Sequence, residues 1–184
     1  MSEEKIYYRV ENIVASVILE DRIDLEKVAN AYHNVEYDPE QFPGLVFRLQ
    51  NPKAAVLVFN TGKMVVTGLK REEEAEIVVN KVIDKIRKAG VPIKSKPQIQ
   101  IQNIVSSGSI GGEIDLELAS ITLDDSLYEP EQFPGLIYRM KDPNVVFLLF
   151  SSGKIVCTGA KKETDVARAV KKLAKELREL GLVT

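Results

Sequence analysis

YDPEQFPGLVFRL, from Tyr37 to Leu49, returns as YEPEQFPGLIYRM, from Tyr128 to Met140, at an offset of 91 residues. The same offset carries Asn12-Ile13-Val14 onto Asn103-Ile104-Val105, Gly62-Lys63 onto Gly153-Lys154, and Thr67-Gly68 onto Thr158-Gly159, with no gap anywhere. Over residues 37–70 against 128–161, 18 of 34 positions are identical, which chance similarity does not reach. The 184-residue chain is therefore an internal duplication, with repeats at 1–92 and 93–184. Each repeat is too long for a solenoid unit. The two are expected to pack as one intimate, pseudo-symmetric core.

Within a repeat the local signals are legible. Residues 8–18 alternate and are β-branched, as in a strand. Asp24 to Tyr32 places Leu25, Val28, Ala29 and Tyr32 at helical spacing. Phe42 to Leu49, Ala54 to Phe59 and Lys63 to Leu69 read as strands, separated by Asn51-Pro52-Lys53 and by a tight turn at Asn60-Thr61-Gly62. Ala75, Val79, Val82, Ile86 and Ala89 form a long helical stripe that Gly90 and Pro92 end. Val166, Val170, Leu173, Leu177 and Leu180 repeat it before Gly181. The order of strand, short helix, antiparallel strands and long helix, twice over, predicts an α+β fold. It is a saddle: one curved antiparallel sheet with helices on its convex face.

The face without helices is informative. A sheet covered on one side alternates apolar and polar residues, yet Ala54–Phe59 and Val145–Phe150 are apolar throughout. Strand parity sends Leu45, Phe47, Leu49, Val56, Val58, Met64 and Val66 to a core under the helices. The opposite face receives Asn12, Val14, Phe42, Arg48, Leu57, Phe59, Lys63, Val65 and Thr67. From the second repeat it receives Asn103, Val105, Phe133, Arg139, Leu148, Phe150, Lys154, Val156 and Thr158. An apolar floor ringed by amides, hydroxyls and cations marks a binding surface.

Charge indicates the partner. Residues 42–70 contain Arg48, Lys53, Lys63 and Lys70 and no acid, a local +4. Residues 133–161 hold Arg139, Lys141, Lys154 and Lys161 against Asp142, a local +3. The whole chain is −2, so the remainder is −9. Basic strands under an acidic back suit an anionic polymer across the sheet.

Composition removes other chemistries. One cysteine, Cys157, and one histidine, His33, exclude a disulfide framework, a multi-cysteine metal site and a Ser-His-Asp triad within the chain. Cys157 has core parity and His33 is expected at the surface. Glu72-Glu73-Glu74 suits the first turn of the long helix. The start, Met1-Ser2-Glu3-Glu4-Lys5, is unlike a secretory signal. No apolar run approaches the about 18 residues of a membrane helix. The expectation is an intracellular, cytoplasmic protein associated with the nucleoid, with no cofactor and no membrane partner.

The twin Glu-Gln-Phe-Pro-Gly-Leu segments, the repeated Asn-Ile-Val and the Ser/Thr-Gly-Lys-x-Val-x-Thr-Gly strands resemble the TATA-box-binding protein family. The archaeal branch is the nearest likeness, from about residue 6 to 182. This family is itself the type case for kinking DNA with apolar side chains in the minor groove. The resemblance implies a non-enzymatic initiation factor that binds A/T-rich promoter DNA and recruits transcription factor B and RNA polymerase. It implies that Phe42 with Phe59, and Phe133 with Phe150, are wedges. Asn12, Asn103, Thr67 and Thr158 are central polar contacts, and Val14, Val65, Val105, Val156, Leu57 and Leu148 the floor. Arg48, Lys63, Lys70, Arg139, Lys154 and Lys161 meet phosphate or sugar. It implies further that Glu129, Glu131 and Gln132, in the loop before Phe133, dock transcription factor B, with help from the surface around Glu117 to Asp125. Pro43-Gly44 departs from the eukaryotic pattern. The halves are more alike here, so the sheet sets binding direction only weakly.

Plainer readings compete. Phe59 and Phe150 alone would be core residues; their repeated 17-residue spacing from Phe42 and Phe133 favours a role. Lys63 and Lys154 follow hairpin glycines, where a solvated lysine is the default. A similar fold serves as an accessory base-recognition module in some DNA glycosylases, which need a catalytic domain for which this chain has no length. An interaction scaffold is the third reading, with free protein dimerising through the sheet.

Overall fold

The computed structural model describes residues 6–184; Met1 to Lys5, read above for a targeting signal, lie outside them. The first repeat contains β1 (Tyr7–Ile18), α1 (Leu25–Ala31), β2 (Glu36–Tyr37), β3 (Leu45–Gln50), β4 (Lys53–Val58), β5 (Lys63–Leu69) and α2 (Glu74–Lys88). The second contains β6 (Gln98–Ser109), α3 (Leu116–Thr122), β7 (Ser126–Tyr128), β8 (Leu136–Met140), β9 (Val145–Leu149), β10 (Lys154–Ala160) and α4 (Glu163–Glu179). The fold is α+β and internally duplicated. The strands form one ten-stranded sheet in the order β2-β3-β4-β5-β1-β6-β10-β9-β8-β7. Within each repeat's run of five the pairing is antiparallel.

Packing groups residues 12–102 into one compact unit, and residues 6–11 with 103–184 into the other. The sequence repeat changes over at 92/93, between α2 and β6, whereas the packing boundary cuts within β1 and β6. In the 12–102 unit, Leu45, Phe47, Val56, Val58, Met64 and Val66 are buried on the side of the sheet where α2 buries Val78, Val79, Val82, Ile83 and Ile86. In the other unit, Leu136, Phe147, Leu149 and Ile155 lie with Val166, Val170, Leu173 and Leu177 of α4. Each such side chain contributes about 1.5–3 kcal/mol on burial. Cys157 belongs to this core, and burial pushes its thiol up to about 12, so it stays protonated.

Asp24 and Asp115 cap the short helices by accepting from Lys27 N at 3.2 Å and Leu118 N at 3.0 Å. Glu74, from the acidic run, accepts from Lys70 N and Arg71 N at 3.1 and 3.0 Å and ties the chain into α2.

Three local expectations change. Strand β3 begins at Leu45, not Phe42, because Gln41 N and Phe42 N both donate to Asp38 O and close a turn. Pro43 then has no N–H for a ladder. Leu49, assigned to the core by parity, is only half-buried near the end of β3. The edge strands β2 and β7, two and three residues long, escaped the pattern reading.

Candidate nucleic-acid interface

On the 12–102 unit, register fixes which side chains share the face away from α2. Ser16 stands opposite Val65, Val65 opposite Leu57, and Leu57 opposite Val46. The next row is Thr67, Ala55 and Arg48. The other unit repeats this as Ser107, Val156, Leu148 and Ile137, followed by Thr158, Val146 and Arg139. Val14, Val65 and Leu57, like Val105, Val156 and Leu148, are half-exposed, while their strand neighbours are buried. The floor named from sequence is thus open to solvent in both units. Sequence reasoning omitted Val46, Ala55, Ser16 and their counterparts Ile137, Val146 and Ser107. Alternation from the buried Leu45 and Phe47 was the available signal for Val46.

The amides are held by a specific device. Between Val66 and Leu69, β5 has one residue more than the facing stretch of β1; β10 has the same bulge between Cys157 and Ala160. Gly68 and Gly159 occupy these bulges at φ +94° and +102°, where other residues are strained. The freed Gly68 N–H donates to Asn12 Oδ1 at 2.7 Å, and Gly159 N–H to Asn103 Oδ1 at 2.6 Å. A backbone N–H can only donate, so each amide must turn its oxygen to the bulge. Its NH2 then lies beside a threonine hydroxyl, Nδ2 to Oγ1 being 3.3 Å for Asn12–Thr67 and 3.1 Å for Asn103–Thr158. With two N–H groups and one threonine, each amide keeps a donor to spare. The bulge also changes strand parity, so Leu69 and Ala160 turn into the core and Lys70 and Lys161 are exposed.

Phe42 and Phe59 meet edge to face, centroids 5.8 Å apart and planes at 71°; Phe133 and Phe150 do so at 6.0 Å and 69°. Phe42 and Phe133 remain 39% and 38% exposed, too open for core residues. A Cβ on Gly44 would meet Phe42 at 2.8 Å and Phe59 at 3.1 Å. On Gly135 it would meet Phe133 at 2.8 Å and Phe150 at 3.0 Å. The Pro-Gly step of both motifs therefore makes room for the rings.

The cations lie around this surface. Lys63 and Lys154 begin β5 and β10 and are exposed, as are Arg48 and Arg139. Arg48 Nη2 lies 3.4 Å from Glu36 Oε2. Glu129, Glu131 and Gln132 are exposed in the β7–β8 turn, where Glu129 O accepts from Gln132 N and Phe133 N. Among the described residues no cluster of His, Cys, Asp and Glu could hold a metal ion, and no helix is long and apolar enough to cross a membrane.

These features have close relatives. The family model for transcription factor TFIID (or TATA-binding protein, TBP) matches residues 7–89 and again 98–180. The TATA-box-binding protein of Aeropyrum pernix is 54% identical over 175 residues, 95% of this chain and 86% of that protein. That of Pyrobaculum aerophilum is 52% identical over 183 residues, covering 100% of this chain and 92% of that protein. A solved structure, Methanococcus jannaschii TBP, superposes with a TM-score of 0.84 at 48% identity, over 94% of this chain and 98% of that one. With both repeats matched by the family model and relatives above half identity along nearly the whole length, this chain belongs to the TATA-box-binding protein family.

Proposed function

We propose that the chain is a transcription initiation factor that binds A/T-rich TATA-type promoter DNA through the open sheet face, each repeat supplying half of the interface. One observation carries this reading: in both units a donor-bearing amide is locked into an open apolar floor. In the minor groove an A·T pair offers only acceptors, adenine N3 and thymine O2, while G·C adds the guanine amino donor. Asn12 and Asn103 present the donors that such an edge needs. Val14, Val65, Leu57 and their counterparts tolerate A·T and leave a guanine amino group unpaired, at about 1–3 kcal/mol. The paired rings Phe42–Phe59 and Phe133–Phe150 are the wedges that unstack base steps, which flexible TA steps favour. Lys63, Lys70, Lys154, Lys161, Arg48 and Arg139 neutralise backbone phosphates and make affinity fall with salt. The process is binding and bending, with no covalent chemistry. Glu129, Glu131 and Gln132 receive transcription factor B, which brings RNA polymerase.

The test is footprinting on an A/T-rich promoter duplex and on its G·C-substituted control, with bending read by energy transfer. Protection of the first duplex alone, and a smaller bend for Phe59→Ala and Phe150→Ala with weak binding retained, is expected. Equal protection of both duplexes sinks the assignment.

A further inference from the structure

The two rim arginines stand at equivalent positions in different electrostatic surroundings. Arg48 lies two residues beyond Val46 on one face of β3, and Glu36 of the edge strand β2 stands directly opposite Val46. That diagonal lets a long carboxylate and a guanidinium meet, and they do, at 3.4 Å with both side chains more than 60% exposed. In the second repeat Arg139 has the same diagonal relation to position 127, where Leu127 stands opposite Ile137. Position 127 therefore offers no carboxylate, and among the described residues Arg139 has no ion-pair partner. Downstream of this exchange the repeat is faithful: Tyr37 matches Tyr128 and Arg48 matches Arg139.

We infer that Glu36 acts as an internal competitor for phosphate, occupying Arg48 and weakening the first repeat's grip on DNA relative to the second. The inference rests on the DNA-binding reading above. For Arg48 to meet a phosphate it must leave Glu36, and the carboxylate then sits beside a like charge. Arg139 meets phosphate with neither cost. An exposed pair of this kind is worth only a small factor, about two- to fivefold in affinity. Because phosphate contacts carry no sequence information, that factor applies alike to every duplex and appears as affinity and salt dependence. Glu36 is thus a positioning residue that tunes affinity through Arg48, and Leu127 is its permissive counterpart.

The experiment measures the affinity of the full chain for an A/T-rich promoter duplex across a salt series, in a double-mutant cycle. Arg139→Ala is expected to cost about two- to fivefold more affinity than Arg48→Ala. Glu36→Leu, which installs the residue of the second repeat, is expected to strengthen binding about two- to fivefold, steepen the salt slope, and make Arg48→Ala as costly as Arg139→Ala. In the Arg48→Ala background the gain from Glu36→Leu should shrink to that of Asp38→Asn, which removes one nearby charge without touching the pair. Leu127→Glu should lower affinity and flatten the slope, and in an Arg139→Ala background its effect should shrink to that of one nearby charge. Equal costs for the two arginines, or a Glu36→Leu gain undiminished by loss of Arg48, overturns the inference while leaving the DNA reading intact. Failure of the unmodified chain to prefer the A/T-rich duplex overturns that reading, and the inference with it.

Discussion

One core position is built in two ways. In the first repeat, Tyr32 at the end of α1 meets Phe47 edge to face at 6.0 Å and donates its hydroxyl to Lys85 O at 2.7 Å. Lys85 Nζ lies 5.2 Å from the Tyr32 ring centroid. The equivalent positions in the second repeat are Leu123, Tyr138 and Glu176. There the hydroxyl has moved to the sheet, and Tyr138 donates to the Glu176 carboxylate at 2.8 Å. Burial, and then that bond to an anion, hold the Tyr138 phenol well above its ordinary range. In both repeats one aromatic hydroxyl reaches the long helix, but its acceptor is neutral in one and charged in the other. What duplication preserves is the volume and one satisfied hydroxyl, not the residue that provides them.

The largest effect that sharpens this contrast comes from removing the two hydroxyls. Tyr138→Phe should cost about 1.5 kcal/mol, because a bond to a charged acceptor is lost, and Tyr32→Phe about 1 kcal/mol. Urea denaturation of both variants measures the difference; a larger loss for Tyr32→Phe would reverse the ranking of the two designs.

A smaller effect, confined to acid, separates the tails of the repeats. The segment after α2 is anchored by Asp21, whose carboxylate accepts from Lys94 N at 2.9 Å, Ser95 N at 2.8 Å and the Ser95 hydroxyl. The Ser95 hydroxyl foremost, then the two backbone amides, hold Asp21 down to about 2. Asp21 corresponds to Gly112, and the polar ties of the segment after α4 are backbone bonds, the Ile114–Val183 bridge and Thr184 N to Glu113 O at 3.1 Å. A depressed carboxylate stabilises the fold above its unfolded value of about 3.9, and that contribution is lost as pH falls through about 2. Hydrogen exchange at Lys94 and Ser95 should therefore accelerate, relative to Thr184, between pH 4 and pH 2 (estimated window, about two units). Asp21→Asn should abolish the change. Parallel behaviour of both tails would break the distinction.

The smallest effect is a gain. Ser106 is buried with its hydroxyl unpartnered, where the first repeat has Ala15. Ser106→Ala should stabilise by about 1 kcal/mol and raise Tm by about 2–4 °C. A fall in Tm by calorimetry would show that the hydroxyl is satisfied in solution.

Sequence carried the architecture because the repeat checked every assignment twice. α1, β4, β5 and α2 begin and end within a residue or two of the pattern reading, and α4 starts three residues before the first apolar position of its stripe. What it missed lacks a periodic signal. β2 and β7 are too short to alternate, and the turn at Asp38–Phe42, though marked by Asp38-Pro39, closes on Phe42 and takes that apolar residue out of the strand. Asn12 and Asn103 could be named, but not their donor end, which depends on a bulge one residue long opposite β1 and β6. Gly44 and Gly135 were legible in principle: each recurs directly after Phe-Pro, and the reason, two rings above them, exists only in three dimensions.

Those ring pairs have a kinetic consequence. Phe42 and Phe59 are each other's walls, and Gly44 lies beneath both. Each ring restricts the other's rotamers when the chain folds, so less side-chain entropy is left to lose when a partner arrives. On the proposed DNA-binding reading each pair acts as a fixed tooth, and the encounter waits on deformation of the DNA. Widening the seat by truncating one ring would set the other turning, and ring-flip broadening in NMR would report that loosened tooth directly.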